Sequence, residues 1–173
     1  MTRTLIVYYS MTGSTKRVAE LLQELTQWPS AEVTDVGSHG NSTASSRHLM
    51  DSSLPKALHY ELHGPNPTQF ERLVVVAPAW LGQLAPPMRG LLCDIFRNPQ
   101  QQRAPKVSLV CVVGTDGALT AMQEMAAVIG GPPFPILLVR HDDVLDGSCV
   151  GELQTLSDRI RSLDETQPDI LPI

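Results

Sequence analysis

The sequence has few cysteines, and their spacing matches no common cysteine-based site. The three cysteines, Cys93, Cys111 and Cys149, are odd in number and include no C-x-x-C pair. Disulfide frameworks use an even set of cysteines and zinc sites need closely spaced pairs, so neither is predicted. We expect free thiols in a reducing compartment.

Basic clusters and long apolar runs are also missing. The 13 lysines and arginines are scattered among 18 acidic residues, and the net charge is −5. Nucleic-acid-binding proteins usually carry a concentrated basic patch, so no nucleic-acid partner is expected. The apolar run over residues 4–9 is too short to cross a membrane and lacks a signal-peptide cleavage pattern. The sequence therefore predicts a cytoplasmic protein with no membrane partner.

The chain does contain a regular alternation of apolar segments and amphipathic segments. Short apolar runs predict strands at residues 4–9, 73–77, 107–113 and 135–139, and alternating polar and apolar side chains predict a shorter strand at 32–36. Apolar side chains recur at helical spacing after most of them, as in Val18, Leu21, Leu22 and Leu25. Strands that alternate with helices need crossover connections, which produce a parallel sheet with helices on both faces. We predict one α/β domain, a three-layer α/β/α sandwich around a five-stranded parallel sheet.

Two regions of this pattern carry more specific expectations. The helix predicted over residues 118–129 should turn one set of apolar side chains inward: Leu119, Met122, Met125, Ala126 and Ile129. Residues 37–66 lose the pattern in a stretch rich in Ser, His, Gly and Pro. That stretch is predicted to be an irregular or weakly helical insertion.

The turn after the first strand has the composition of a phosphate-binding loop. Residues 10–15 read SMTGST, with four hydroxyls and a glycine at the start of a predicted helix. Amides at a helix amino end lack partners, and the helix dipole favours an anion there. An ordinary helix N-cap also favours Ser, Thr and Gly. Placement between a buried strand and an amphipathic helix favours the phosphate interpretation.

Other nucleotide-binding loops do not fit this turn. A Walker loop requires G-x-x-x-x-G-K-S/T, but Tyr8 stands five residues before Gly13 and Ser14 follows it. The dinucleotide fingerprint G-x-G-x-x-G is missing as well, so a mononucleotide is favoured over NAD or FAD. A phosphorylated receiver domain would need an acidic residue where Ala77 and Pro78 stand.

Two segments resemble the flavodoxin family. LIVYYSMTGSTKRVAELL is similar to the family's opening, with its S/T-x-T-G-x-T phosphate loop, and VVVAPAWLGQLAPPMRGLL is similar to its P-x-W-x-G flavin loop. The resemblance implies FMN as cofactor and the strand order 2-1-3-4-5. It implies a phosphate loop formed by Ser10, Met11, Thr12, Gly13, Ser14 and Thr15. The flavin ring would lie against Pro78, Ala79, Trp80, Leu81, Gly82 and Gln83, and the third flavin loop would be Gly114, Thr115, Asp116 and Gly117.

The third loop departs from the classical flavodoxins, which commonly place a second aromatic residue there. Residues 114–117 contain none, and the net charge of −5 is modest for such carriers. Trp80 offers a flat surface for stacking on one side of the flavin. This pattern leaves room for a substrate at the other flavin face.

Other polar groups predict no further chemistry. His59 and His63 have the spacing of a helical metal pair but lie in a polar, Gly-Pro-containing segment. Asp142, Asp143 and Asp146 lack the glycine and distal glutamate of a calcium loop, so they are interpreted as turn residues. We therefore expect no metal site and no catalytic acid or base.

These features predict an FMN-binding electron-transfer protein. Its partner would be a redox protein or a small-molecule electron acceptor, and the flavin would carry the redox chemistry. Two alternatives remain open: an NAD(P)H-dependent quinone or FMN reductase of the same fold, and an interaction module that binds no cofactor. The oligomeric state is not predicted.

Overall fold

The computed structural model describes residues 3–36, 60–80, 83–97, 103–114 and 118–166, with the backbone alone for Trp80. Its strands are β1 (Thr4–Tyr9), β2 (Ser30–Asp35), β3 (Tyr60–His63), β4 (Arg72–Trp80), β5 (Gln83–Leu84), β6 (Lys106–Val113) and β7 (Ile136–Arg140). Its helices are α1 (Ser14–Thr26), α2 (Pro86–Phe96), α3 (Ala118–Ile129), α4 (His141–Asp146) and α5 (Val150–Glu165). None of these helices is long and apolar enough to cross a membrane.

The sheet is mostly parallel. Its order is β3-β2-β1-β4-β6-β7, and β5 pairs with β4. The neighbouring pairs among β2, β1, β4, β6 and β7 are all parallel, whereas β3 and β5 are antiparallel to their partners. The five predicted strands are therefore parallel to one another in the predicted order 2-1-3-4-5, but the prediction of a sheet with five strands, all parallel, was wrong because β3 and β5 add two antiparallel strands. The two missed strands are an edge strand of sequence YELH and a two-residue strand, and neither contains an apolar run.

Helices cover both faces of the sheet, as the alternation predicts. Successive residues of a strand point to opposite faces. Ile6 and Val74 belong to the apolar cluster that α1 and α5 cover, and Leu5 and Leu73 belong to the cluster that α2 and α3 cover. Because central strands are covered on both sides, their sequences are almost continuously apolar.

The inward face of α3 differs from the prediction. Leu119 is 64% exposed, while Ala121 and Met125 are buried. Each residue turns an α-helix by about 100°, so Leu119 points nearly opposite to Ala121. Leu119 was wrongly assigned to the core because its spacing to Met122 also fits a helical stripe.

The described part of the predicted insertion over residues 37–66 also differs from its prediction. Tyr60–His63 forms β3, which pairs antiparallel with β2, instead of an irregular segment. Gly64 follows at φ +138°, and a Cβ there would lie 2.8 Å from the Ala31 Cα. Residues 37–59, including His59 and most of the weakly helical stretch, lie outside the described residues.

A buried ion pair joins the amino end of β4 to the last turn of α5. Arg72 Nη2 donates to Asp164 Oδ1 at 2.7 Å, and its Nε contacts both carboxylate oxygens at 3.1 and 3.2 Å. Arg72 Nη1 donates to Ser108 Oγ and to the Phe134 carbonyl. The two charged side chains are 3% and 10% exposed. Because each charged group is paired and hydrogen-bonded, burial leaves neither charge without a partner.

Candidate functional site

The carboxyl ends of β1, β4 and β6 lie side by side at one edge of the sheet. Tyr8 pairs with Val76, and Pro78 pairs with Val112. Continuing these registers places the residues that directly follow β1 and β6 beside the last residues of β4. Neighbouring strands are about 4.8 Å apart, so the three predicted loops begin close together.

This edge is also where the order of the sheet reverses. β1 leads to β2 on one side and neighbours β4 on the other, while α1 and α2 cover opposite faces. In open α/β sheets, ligands bind beyond the carboxyl ends of the strands at such a reversal. The structure therefore places the predicted phosphate loop where this architecture forms a crevice.

The loop from Ser10 to Gly13 turns the chain directly into α1. Gly13 is the N-cap, at φ +93°, and its amide donates to Ser10 Oγ at 3.1 Å. The left-handed conformation favours glycine, and the space where a Cβ would lie is open. The Arg17 amide donates to the Gly13 carbonyl at 2.9 Å, so the amides of residues 14–16 precede the first intrahelical donor and have no carbonyl partner within the helix. Among the described residues, no side chain caps the amino end of α1.

The hydroxyls of this loop differ in their environments. Thr12 is exposed, whereas Ser14 and Thr15 are 8% and 3% exposed. Thr15 makes no side-chain hydrogen bond with any residue in the described part of the chain. In the described part of the chain, the fully buried side-chain polar atom without a partner is Arg89 Nε, so the Thr15 hydroxyl keeps some access to solvent and to a ligand. This hydroxyl gains a partner if an anion binds at the amino end of α1.

The charges in the first turn of α1 also suit an anion. The first turn contains no acidic residue, although acidic residues are the ones that the dipole favours there. It contains Lys16 and Arg17 instead. Arg17 lies 3.6 Å from Glu20 and 3.8 Å from Glu24 on the exposed surface of the helix. Both basic side chains are exposed, and of the two only Lys16 has no acidic partner among the described residues, so its charge is the one that adds to the positive field of the helix end.

His141 contacts this loop, which the sequence did not predict. It is the first residue of α4, directly after β7, and its Nδ1 lies 2.9 Å from Ser14 Oγ. The residues are 127 positions apart. The only local signal for His141 is a polar side chain directly after a strand, which is too common to single it out.

The segment after Ala77 differs from its prediction as a loop. β4 continues through Pro78 and Ala79 to Trp80 and then folds back, pairing Ala79 with Leu84 and Trp80 with Gln83. The described residues of the predicted flavin loop therefore belong to two antiparallel strands, β4 and β5, which form the arms of a hairpin. Leu81, Gly82 and the Trp80 side chain lie outside the described residues, so the predicted stacking stays a prediction.

Two charged side chains hold the returning strand of this hairpin. Glu124 of α3 accepts a hydrogen bond from the Leu84 amide at 2.8 Å through Oε2, and its Oε1 pairs with Arg89 of α2. The hairpin is therefore connected to both helices on its face of the sheet. Sequence reasoning missed this contact because Glu124 and Leu84 are 40 residues apart.

The third predicted loop begins at Gly114, which is exposed at the end of β6. Thr115, Asp116 and Gly117 lie outside the described residues, and their predicted role stays a prediction. α3 starts directly after them, at Ala118. The Glu124 contact therefore links the helix that follows the third loop to the hairpin of the second.

Tyr9, the last residue of β1, is tied to the end of the neighbouring strand. Its hydroxyl donates to Asp35 Oδ2 of β2 at 2.9 Å. Burial raises the pKa of Tyr9 above its ordinary value, and the negative charge and hydrogen bond of Asp35 add to the effect. The phenol is therefore a neutral donor at pH 7, and the contact steadies the strand end from which the loop departs.

No protein-family model matches the sequence, and no curated protein matches it. Solved structures do match. A flavoprotein from Lactobacillus acidophilus NCFM, crystallised in complex with FMN, superposes with a TM-score of 0.65 and 20% identity, covering 85% of this chain and 98% of that one. A WrbA-like flavodoxin from Agrobacterium tumefaciens gives a TM-score of 0.54 and 15% identity, over 94% and 99% of the two chains. The chain has a flavodoxin-like fold.

A third neighbour extends the range of activities found on this fold. The NAD(P)H:quinone oxidoreductase from Methanothermobacter marburgensis has a TM-score of 0.56 and 10% identity, covering 92% of this chain and 96% of that one. Identities this low establish the flavodoxin-like fold alone. The resemblance read from the two sequence segments is confirmed at that level.

The described residues of the flavodoxin-like chain fit the phosphate of FMN. Residues 14–16 offer amides at the start of α1, and Thr15 offers a hydroxyl without a hydrogen-bond partner in the described part. The space above Gly13 is open to a bound group. This donor set matches an acceptor-rich dianion, because every group in it can donate a hydrogen bond.

Proposed function

We propose that this flavodoxin-like protein binds FMN and transfers electrons through it. The observation that carries the proposal is the amino end of α1, where amides and a Thr15 hydroxyl without partners among the described residues occur beside an open Gly13. They lie at the strand-end crevice that this architecture uses for ligands. The FMN complex of the Lactobacillus acidophilus flavoprotein supports the choice of ligand.

The roles of the cofactor and of the protein follow from the chemistry of FMN. Bound FMN would supply the redox chemistry, while the protein holds the phosphate, positions the ring and tunes its surroundings. Residues 10–15 would bind the phosphate, and the hairpin from Pro78 to Gln83 with residues 114–117 would border the ring. No side chain needs to act as an acid or base. The proposed partner is a redox protein or a small-molecule electron acceptor.

A titration with FMN and riboflavin tests this proposal directly. The two flavins share the ring and differ at the phosphate, and quenching of flavin fluorescence reports binding of either. We expect the protein to prefer FMN and Thr15→Val to weaken that binding about 10- to 100-fold, the cost of a hydrogen bond to a charged group. Thr26→Val is the matched control, because its hydroxyl bonds to the Leu22 carbonyl at the far end of α1.

The outcome of this titration separates the proposed function from a cofactor-free module. A protein that stays colourless and binds neither flavin would contradict the proposal. Equal losses of FMN affinity in Thr15→Val and Thr26→Val would contradict the assignment of the phosphate site.

A second candidate is a quinone or FMN reductase that takes electrons directly from NAD(P)H. The similarity to the Methanothermobacter marburgensis oxidoreductase favours it, as does the lack of an aromatic residue in the segment 114–117. Anaerobic mixing of the FMN-loaded protein with NADH or NADPH separates the two candidates. Rapid loss of the oxidised flavin absorbance would support the reductase, and a stable spectrum would support the carrier.

A further inference from the structure

His141 lies against the proposed phosphate site and has no role in the function described so far. Its Nδ1 is within hydrogen-bond distance of Ser14 Oγ, at 2.9 Å. Ser14 is the first residue of α1, and His141 is partly buried at the start of α4. The contact joins the loop after the first strand to the chain directly after the last one.

A bound phosphate would restrict the direction of the hydrogen bond between Ser14 and His141. A phosphate dianion only accepts hydrogen bonds, so a serine hydroxyl that binds it must donate its single proton. That hydroxyl can still accept a hydrogen bond through its oxygen lone pairs. If Nδ1 of the histidine carried no proton, it would accept the Ser14 proton and compete with the ligand.

We propose that His141 is a positioning residue for the cofactor phosphate. Its Nδ1–H donates to Ser14 Oγ and thereby directs the Ser14 proton toward the group bound at the amino end of α1. The inference rests on the FMN-binding function proposed above. It adds that the tautomer of His141, which is 127 residues from Ser14 in sequence, determines whether the Ser14 hydroxyl donates its proton to the phosphate.

The selectivity between FMN and riboflavin isolates this effect, because the contact acts on the phosphate alone. We expect His141→Ala to weaken FMN binding about 3- to 10-fold, as for one neutral hydrogen bond, and to leave riboflavin binding unchanged. The amide nitrogen of His141→Asn lies near the place of Nδ1, so this variant should recover most of the FMN affinity. Far-ultraviolet circular dichroism and thermal unfolding check that both variants fold.

A histidine elsewhere in the chain provides a matched control. Nε2 of His63, on β3, lies 3.2 Å from Thr34 Oγ1 on β2, the same kind of contact at an exposed position. His63→Ala should leave the affinities for both flavins unchanged. A loss equal to that of His141→Ala would overturn the proposal.

Nitrogen-15 spectra of the histidine rings give a readout that does not depend on affinity. In the FMN complex, Nδ1 of His141 should show the chemical shift of a protonated ring nitrogen. A shift typical of an unprotonated nitrogen in that complex would overturn the proposal, because Nδ1 could not then donate to Ser14.

The proposed FMN-binding function and the proposed role of His141 can be refuted separately. If the wild-type protein binds neither flavin, the proposed function fails and the inference fails with it. If the wild-type protein prefers FMN and His141→Ala keeps the full preference, the inference alone fails. Equal weakening of both flavins in His141→Ala would also refute it, since a general structural role has that result.

Discussion

Replacing Asp164 with asparagine should destabilise the fold strongly. Arg72 would keep its charge in a position where its side chain is 3% exposed, and it would lose the carboxylate that it contacts at 2.7 to 3.2 Å. The contacts to Ser108 and Phe134 would remain, but both are to neutral groups. Breaking a buried ion pair on one side typically costs about 3–5 kcal/mol. We expect about 3 kcal/mol, because asparagine keeps one acceptor oxygen.

Urea unfolding followed by circular dichroism measures this loss. With an m-value of about 1–3 kcal/mol per molar, a loss of about 3 kcal/mol moves the midpoint by at least about 1 M. Asp158→Asn is the matched control on the same helix, because Asp158 is 59% exposed and pairs with Arg161 at 3.6 Å. An exposed pair contributes about 1 kcal/mol or less.

Two results would refute the reasoning about this pair. Equal stabilities of Asp164→Asn and Asp158→Asn would show that burial does not determine the cost. The double variant Arg72→Met, Asp164→Leu removes both charges and should recover most of the lost stability, since apolar replacements of buried pairs are often neutral. A double variant less stable than Asp164→Asn would contradict that expectation.

Three further outcomes are expected. Gly64→Ala should cost about 1–3 kcal/mol in thermal unfolding, because φ is +138° and the new Cβ would meet Ala31. Burial raises the pKa of Tyr8 to about 12 and raises the pKa values of Tyr9 and Tyr60 as well. The buried neutral phenols should therefore stabilise the fold below about pH 10, and this contribution should be lost as the pH rises through about 12. In a pH titration of the native protein, the absorbance of ionised phenol should appear only above the pH at which a free tyrosine titrates. A native phenol titration near pH 10 would contradict it. Burial raises the pKa of Cys111 to about 11, so thiol reagents should modify it at pH 7 only after unfolding.

The parts of the fold that were predicted from sequence are those whose signal is local. The central strands are buried on both faces, so their apolar runs are unbroken and easily recognised, as in Leu5, Ile6 and Val7. β3 was missed because this partly buried edge strand carries polar residues such as Glu61 and His63 and has no apolar run. The length of β4 was underestimated because Pro78 ended the apolar run without ending the strand.

The candidate site also has parts with a local sequence signal and parts without one. Residues 10–15 are contiguous, so their composition, together with their placement between a buried strand and an amphipathic helix, predicted an anion-binding turn at the start of α1. The contacts from His141 and Glu124 span 127 and 40 residues, and they depend on the register of the sheet and on how the helices pack. No periodicity in the sequence encodes such distances. The structure is needed to show which distant side chains support the loop.

The two ends of β4 have different roles in the structure. Arg72, its first residue, belongs to the buried ion pair, and Trp80, its last, belongs to the hairpin. Nine extended residues span about 25–30 Å. Free-energy changes at sites more than about 10 Å apart are usually additive. Substitutions in the hairpin can therefore be combined with stabilising changes around the ion pair, and the energetic effects of the two sets should sum.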